Sequence, residues 1–142
     1  KKIIRLLMST DNIEKVFGKT IIPFGVFVEQ HELDVAKVLN KLGKDVEFIL
    51  PSRVKFSRTP DIKMDGLLWE IKSPKGSSSR TIENNLRTAL KQSKNIIIDL
   101  RRIKIDETKA IFQIKEKFIK IKTIKKIIII KKNSTLFLDF SR

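Results

Sequence analysis

Residues 60–72 constrain the fold most, because a two-residue turn signal stands there between two extended runs. The pair Asp65-Gly66 favours a type I′ turn, in which both central residues adopt positive φ. A tight turn of this kind fixes which residues face each other across the two strands. The pattern therefore predicts a hairpin in which Asp61 lies opposite Glu70, on one face of the sheet.

Two carboxylates placed opposite each other are destabilising unless a positive charge offsets them. A hard divalent cation would do this directly, since Mg²⁺ is commonly held by one or two carboxylates plus a substrate phosphate. Lys72 points to the same face as Glu70 and could assist the attack of water on a phosphodiester. We therefore expect Asp61, Glu70 and Lys72 to form a site for Mg²⁺ or Mn²⁺. The alternative is an ordinary surface hairpin with a weak Lys–Glu pair.

A third carboxylate could come from the helix predicted over residues 30–42, where apolar residues recur at helical spacing. Glu32 lies at the start of its apolar stripe and could point at the sheet. A simple capping role near the helix dipole is the alternative. Glu29 is the nearest competitor, and we favour Glu32.

The composition points to a polyanionic partner. The 142 residues include 31 Lys and Arg against 16 Asp and Glu, a net charge of +15. Charge of this size usually reflects phosphate binding. Cysteine and tyrosine are absent, and His31 is the single histidine, which excludes a thiol nucleophile, a cysteine-ligated zinc and a pair of catalytic imidazoles. The apolar run at 127–130 is too short to span a bilayer, so no membrane insertion is expected.

The hydrophobic periodicity predicts a mixed α/β (α+β) fold, a central mixed sheet flanked by helices in the order α-β-β-β-α-β-α-β-β. After the first helix, the predicted elements are a strand at 46–50, the hairpin, a helix at 79–94, a strand at 96–100, a helix near 106–121 and a second hairpin that turns at 132–134. Residues 29–142 form the predicted domain. Residues 1–28 have an uncertain role, with a possible short helix near 12–17 and a possible strand at 21–28.

Basic residues on and around the second helix are candidates for binding a phosphate backbone. Arg80, Arg87 and Lys91 recur on one face of that helix, and a solvated surface is the alternative for this stripe. Lys75 lies in the polar loop before the helix, and Lys94 follows it.

Pro60-Asp61 followed by Glu70-Ile71-Lys72 resembles the motif of the PD-(D/E)XK nuclease superfamily. The longer string TPDIKMDGLLWEIKSPKG, with the following helix and strand, resembles the C-terminal tRNA nuclease toxin domain of contact-dependent inhibition proteins of the CdiA type. The resemblance covers about residues 29–140.

That resemblance implies a restriction-endonuclease-like core, with Asp61, Glu70 and Glu32 as metal ligands, Lys72 as the catalytic lysine and Gln92 as an active-site contact. It also implies a secreted or surface-delivered bacterial toxin that cleaves RNA in the cytoplasm of a target cell, with tRNA as the best single guess for the substrate. An immunity protein with an acidic surface would bind it, so that it is a monomer or a heterodimer with that protein. A DNA endonuclease of the same superfamily and a non-catalytic nucleic-acid-binding module are the alternatives.

Overall fold

The computed structural model describes residues 16–52, 58–133 and 137–142. Within these ranges, seven strands form one mixed sheet whose spatial order follows the chain from β1 to β7. The strands are β1 (Thr20–Ile21), β2 (Val46–Phe48), β3 (Ile62–Met64), β4 (Leu67–Lys72), β5 (Asn95–Asp99), β6 (Lys126–Ile130) and β7 (Phe137–Ser141). Three helices are found in the same ranges: α1 (Gln30–Lys41), α2 (Thr81–Leu90) and α3 (Glu107–Lys120).

The predicted order of elements from the first helix onward is confirmed, and β1 precedes it where a strand was possible. Strands β4, β5 and β6 run parallel, whereas β2–β3, β3–β4 and β6–β7 are antiparallel pairs. Helix α2 is shorter at both ends than the predicted 79–94. The second hairpin joins Ile130 to Phe137 around the predicted turn, part of which lies outside the described residues.

The hairpin of β3 and β4 has the predicted register, with Ile62 opposite Trp69 and Met64 opposite Leu67. Asp65 and Gly66 both have positive φ, 54° and 75°, as a type I′ turn requires. The two-residue bend therefore sets which side chains meet along the rest of the hairpin.

The alternation of side chains along the central strands divides the core between the two faces of the sheet. Ile97 belongs to a cluster with Val35 and Leu39 of α1, and Trp69 and Ile71 share that cluster. Ile96 and Ile98 instead pack with residues of α2 and α3, such as Leu86 and Ile114. Burial on both faces explains why β5 and β6 are runs of isoleucine rather than alternating polar and apolar residues.

Strand β1 is held at the edge of the sheet by close backbone contacts with the end of α1. The N–H of Gly18 donates to the carbonyl of Asn40 at 2.8 Å. A Cβ at Gly18 would lie 1.8 Å from the carbonyl oxygen of Lys44, so only glycine fits there. The predicted strand at 21–28 is wrong beyond Ile21, because β1 covers only Thr20–Ile21. Most of the possible helix near 12–17 lies outside the described residues. The domain boundary between residues 28 and 29 stays a prediction.

In the described part of the chain, the model contains no helix with the length and apolar character needed to traverse a bilayer.

Candidate active site

Asp61 extends the hairpin pairing by one residue beyond β3. Its N–H donates to the carbonyl of Trp69 at 3.0 Å, and its carbonyl accepts from the N–H of Ile49 at 3.0 Å. Its side-chain Oδ2 accepts from the N–H of Ile71 at 2.8 Å. The carboxylate is therefore held beside Ile71, near the carboxyl end of β4, and the backbone of Asp61 pairs with the chain on both sides.

Glu70 projects from the middle of β4 towards the α2 side of the sheet, since Trp69 and Ile71 project towards α1. The residue is only 5% exposed. Its Oε1 is buried and has no hydrogen-bond donor among the described residues. An orphaned carboxylate oxygen in the interior is costly, and it indicates that a donor or a cation belongs at this position.

The electrostatics of Glu70 point in the same direction. Burial raises the pKa of Glu70 from its ordinary value of 4.5 to about 8, the charge of Asp61 adds to the rise, and the charge of Lys72 opposes it. Near neutral pH Glu70 therefore keeps its proton unless a cation lies beside it. Two carboxylates that cannot both ionise in isolation form an arrangement that favours a divalent cation.

Lys72 completes the predicted group. Its Nζ lies 3.6 Å from Oε2 of Glu70, and its side chain is 22% exposed. Because this ammonium is partly open to solvent, it can reach a bound polyanion without leaving its carboxylate. The structure thus brings Asp61, Glu70 and Lys72 together, as the register predicts.

Glu32 occupies a different arrangement. Its Oε1 accepts the N–H of Glu29 at 3.0 Å, which makes it one half of a capping box at the start of α1. Partial burial raises the pKa of Glu32, the hydrogen bond from Glu29 lowers it, and the charge of Asp61 raises it. The charge of Asp61 therefore acts on the carboxyl group of Glu32. The carboxylate of Glu29 instead lies 3.3 Å from Nδ1 of His31.

No group of three or more His, Asp or Glu side chains in the described ranges is arranged to hold a metal ion. The Asp61–Glu70 pair nevertheless fits the requirements of a divalent cation, on the grounds of its orphaned oxygen and its acceptor-only chemistry. Glu32, engaged in its cap, is not part of a ready-made three-carboxylate set. Its role as a third ligand stays a prediction.

Gln92 lies just beyond α2, where its N–H donates to the carbonyl of Ala89. Its neighbour Ser93 donates through Oγ to the carbonyl of Leu68 at 2.7 Å, which ties this segment to β4 two residues before Glu70. The side-chain Oε1 of Gln92 is buried and has no partner among the described residues. A substrate group or water could supply the missing donor.

The basic stripe on α2 is partly compensated by Glu83. Arg87 lies 3.0 Å and Arg80 3.7 Å from its carboxylate, and Lys117 of α3 reaches the same group at 3.7 Å. Lys75, Lys91 and Lys94 are exposed and make no ion pair within the described ranges. The nucleic-acid-binding role of these residues stays a prediction.

Sequence reasoning missed an ion pair that follows β5. Asp99 is 2% exposed and contacts the guanidinium of Arg101 through both carboxylate oxygens, at 2.8 and 2.9 Å. The charge of Asp99 and its hydrogen bonds raise the pKa of Arg101, with a further contribution from Asp34. A charged residue ending a buried isoleucine strand was the available signal, because buried charges are almost always paired.

Comparisons with known proteins agree on one family. The model of the contact-dependent growth inhibition CdiA C-terminal domain matches residues 58–136. Among solved structures, a CdiA-CT/CdiI toxin and immunity complex from Burkholderia pseudomallei matches with a TM-score of 0.66 and 18% identity, over 88% of this chain and 100% of that chain. At this identity the likeness shows a shared fold. No curated protein sequence matches the chain.

Proposed function

Because this chain belongs to the family of contact-dependent growth inhibition CdiA C-terminal domains, we propose that it is a metal-dependent nuclease toxin of the PD-(D/E)XK type. It hydrolyses RNA, with tRNA as the best candidate, in the cytoplasm of a target cell after delivery from the surface of another. The buried carboxyl of Glu70 beside the half-buried Asp61 and Lys72 is the observation that carries this proposal.

Each residue of the group has a separate role. Asp61 and Glu70 would hold Mg²⁺ or Mn²⁺, joined by Glu32 if its cap opens. The ion would stabilise charge on the phosphate and activate the attacking water. Lys72 donates hydrogen bonds to the phosphate oxygens, where negative charge grows in the transition state. Gln92 accepts a hydrogen bond from the substrate through its unpartnered Oε1.

A non-catalytic binding module is a weaker account of this site. A module that only binds phosphate gains nothing from two acids, which repel the polyanion. Burying Glu70 beside Asp61 also destabilises the fold, because Glu70 can ionise there only at a raised pH. An acid pair with one member in the interior favours catalysis over simple binding.

An immunity protein is the second partner that we propose. The solved neighbour is itself a toxin and immunity complex. The net charge of +15 favours an inhibitor with an acidic contact surface, because complementary charge speeds association and selects the partner.

The test of the enzyme proposal is hydrolysis of total tRNA and of plasmid DNA, each with Mg²⁺ or with EDTA. Lys72→Met should lower RNA hydrolysis by at least about 10²-fold, since it removes a donor to the developing charge. Lys63→Met is the matched control, because Lys63 is an exposed lysine of the same hairpin. If the protein cleaves only DNA, the substrate is DNA and the proposal of an RNA substrate is wrong. Cleavage of neither, by a protein that binds both, would contradict the enzyme proposal.

A further inference from the structure

The carboxyl ends of β4, β5 and β6 lie at one edge of the sheet, because the three strands are parallel neighbours. Ligands of parallel sheets commonly bind in the crevice outside this edge. Here each strand runs directly into basic residues. We call five of them the carboxyl-edge cations: Lys75 after β4, Arg102 and Lys104 after β5, and Lys131 and Lys132 after β6.

Hydrogen bonds hold these three loops against one another. Arg102 donates from Nη2 to the carbonyl of Ser73 at 2.8 Å, so its guanidinium lies beside the residue that follows Lys72. The N–H of Lys104 donates to the carbonyl of Gly76 at 3.1 Å. Leu100 in turn donates to the carbonyl of Ile130 at 2.9 Å. The loop after β5 therefore bridges the catalytic strand and β6.

Gly76 permits part of this packing. A Cβ there would lie 2.5 Å from Oγ1 of Thr81, the first residue of α2. The loop after β4 thus passes close to the start of the helix while its carbonyl accepts from Lys104. The position of the basic loops relative to Lys72 is built into the fold.

The carboxyl-edge cations also differ from the basic stripe on α2 in their charge balance. Arg80 and Arg87 share the carboxylate of Glu83. Over residues 16–52, 58–133 and 137–142, none of the carboxyl-edge cations forms an ion pair, although Glu107 accepts from the backbone N–H of Lys132. Cations without a carboxylate partner, on loops held together by hydrogen bonds, are better suited to phosphates than cations that already have partners.

We propose that the phosphodiester backbone of the substrate lies along this edge, with the carboxyl-edge cations on the phosphates that flank the one beside Lys72. This inference rests on the proposed nuclease function. It places the main backbone contacts on the loops after β5 and β6 rather than on α2, where the sequence pattern predicts them. The path runs from the catalytic strand across its two parallel neighbours.

The experiment measures binding of total tRNA by fluorescence anisotropy in EDTA, so that binding is separated from cleavage. The double variant Lys104→Gln/Lys131→Gln removes two charges from the edge. Within the described residues, neither side chain makes a hydrogen bond or ion pair, so the fold should be retained. The matched control, Lys122→Gln/Lys125→Gln, removes two exposed charges from the opposite end of the sheet, just before β6.

We expect the edge variant to bind tRNA at least about fivefold more weakly than the parent protein at 0.15 M salt. The slope of log affinity against log salt concentration should fall by the equivalent of about one to two phosphate contacts. The control should stay within about twofold of the parent protein. Equal weakening in the two variants would show a general charge effect and overturn the inference. Greater weakening in Arg87→Gln/Lys91→Gln would overturn it in favour of α2.

The two proposals can fail separately. If tRNA binding shows the expected pattern but the parent protein cleaves no nucleic acid, the carboxyl-edge cations bind the backbone and the nuclease proposal is wrong. If the parent cleaves RNA while the edge and control variants bind tRNA equally well, the nuclease proposal is supported and the carboxyl-edge proposal is wrong. If it binds neither tRNA nor plasmid DNA, both are wrong.

Discussion

Ionisation of Glu70 should cost the folded protein stability, and a pH series of unfolding measurements can detect that cost. Burial and the neighbouring charge of Asp61 raise the pKa of Glu70 to about 8, although Lys72 opposes the rise. In the unfolded chain the group returns to its ordinary pKa of 4.5. The folded protein therefore binds this proton more tightly than the unfolded chain does.

The sign follows from proton linkage. Between the unfolded and folded pKa values, the folded state holds the proton and the unfolded state has released it, so stability falls as pH rises. The contribution is fully present below about pH 4 and is lost by about pH 8. At 1.36 kcal/mol for each pKa unit, the total is on the order of 5 kcal/mol at most. That is a large share of the roughly 5–15 kcal/mol by which domains are stable.

The assay is urea unfolding in EDTA at several pH values between 5 and 8, for the parent protein and for Glu70→Gln. The amide cannot ionise, so at pH 8 the free energy of unfolding of the variant should exceed that of the parent protein by at least about 2 kcal/mol. Glu47→Gln, at an exposed position on β2, should follow the parent. Added Mg²⁺ should stabilise the parent at pH 8 and leave Glu70→Gln almost unchanged. Parallel pH profiles for the parent and Glu70→Gln would refute the reasoning.

Two further predictions concern stability away from the acid pair. Asp99→Ala should destabilise the protein by about 1–3 kcal/mol in urea unfolding, because it removes both hydrogen bonds to Arg101, whose partly exposed guanidinium can regain water; the exposed Asp139→Ala should change little, and equal effects would contradict the assignment. Gly66→Ala should cost about 1–2 kcal/mol by the same measurement, since φ is 75° there. Gly66→Asn should cost less because asparagine tolerates this region, and an unchanged alanine variant would be the contrary result.

The hairpin of β3 and β4 could be predicted from the sequence because its geometry is local. Asp65-Gly66 permits few turns, and the turn determines that Asp61 reaches the level of Glu70. The order of elements was predictable for a similar reason, since helical and strand periodicities are properties of short segments. These features depend on residues a few positions apart.

Features that depend on distant packing were not predictable in the same way. The two-residue strand β1 exists because Gly18 approaches Lys44 more closely than any other residue could. The compensation of the α2 stripe by Glu83 includes a cation from α3, and only the packing of the two helices brings it there. Helical spacing shows which charged residues share one face of a helix, but it does not show which of them form ion pairs in the folded protein.

The separation of the acid pair from the carboxyl-edge cations has a consequence for how such a domain could diversify. The acids belong to one hairpin, whereas most of the cations belong to loops that follow β5 and β6. Loops tolerate changes of length and sequence better than the strands they connect. Under the proposed function, exchanging these loops between relatives should therefore transfer substrate preference while the register of Asp61 and Glu70 stays intact. The proposed cleavage chemistry would in this way be directed to many targets.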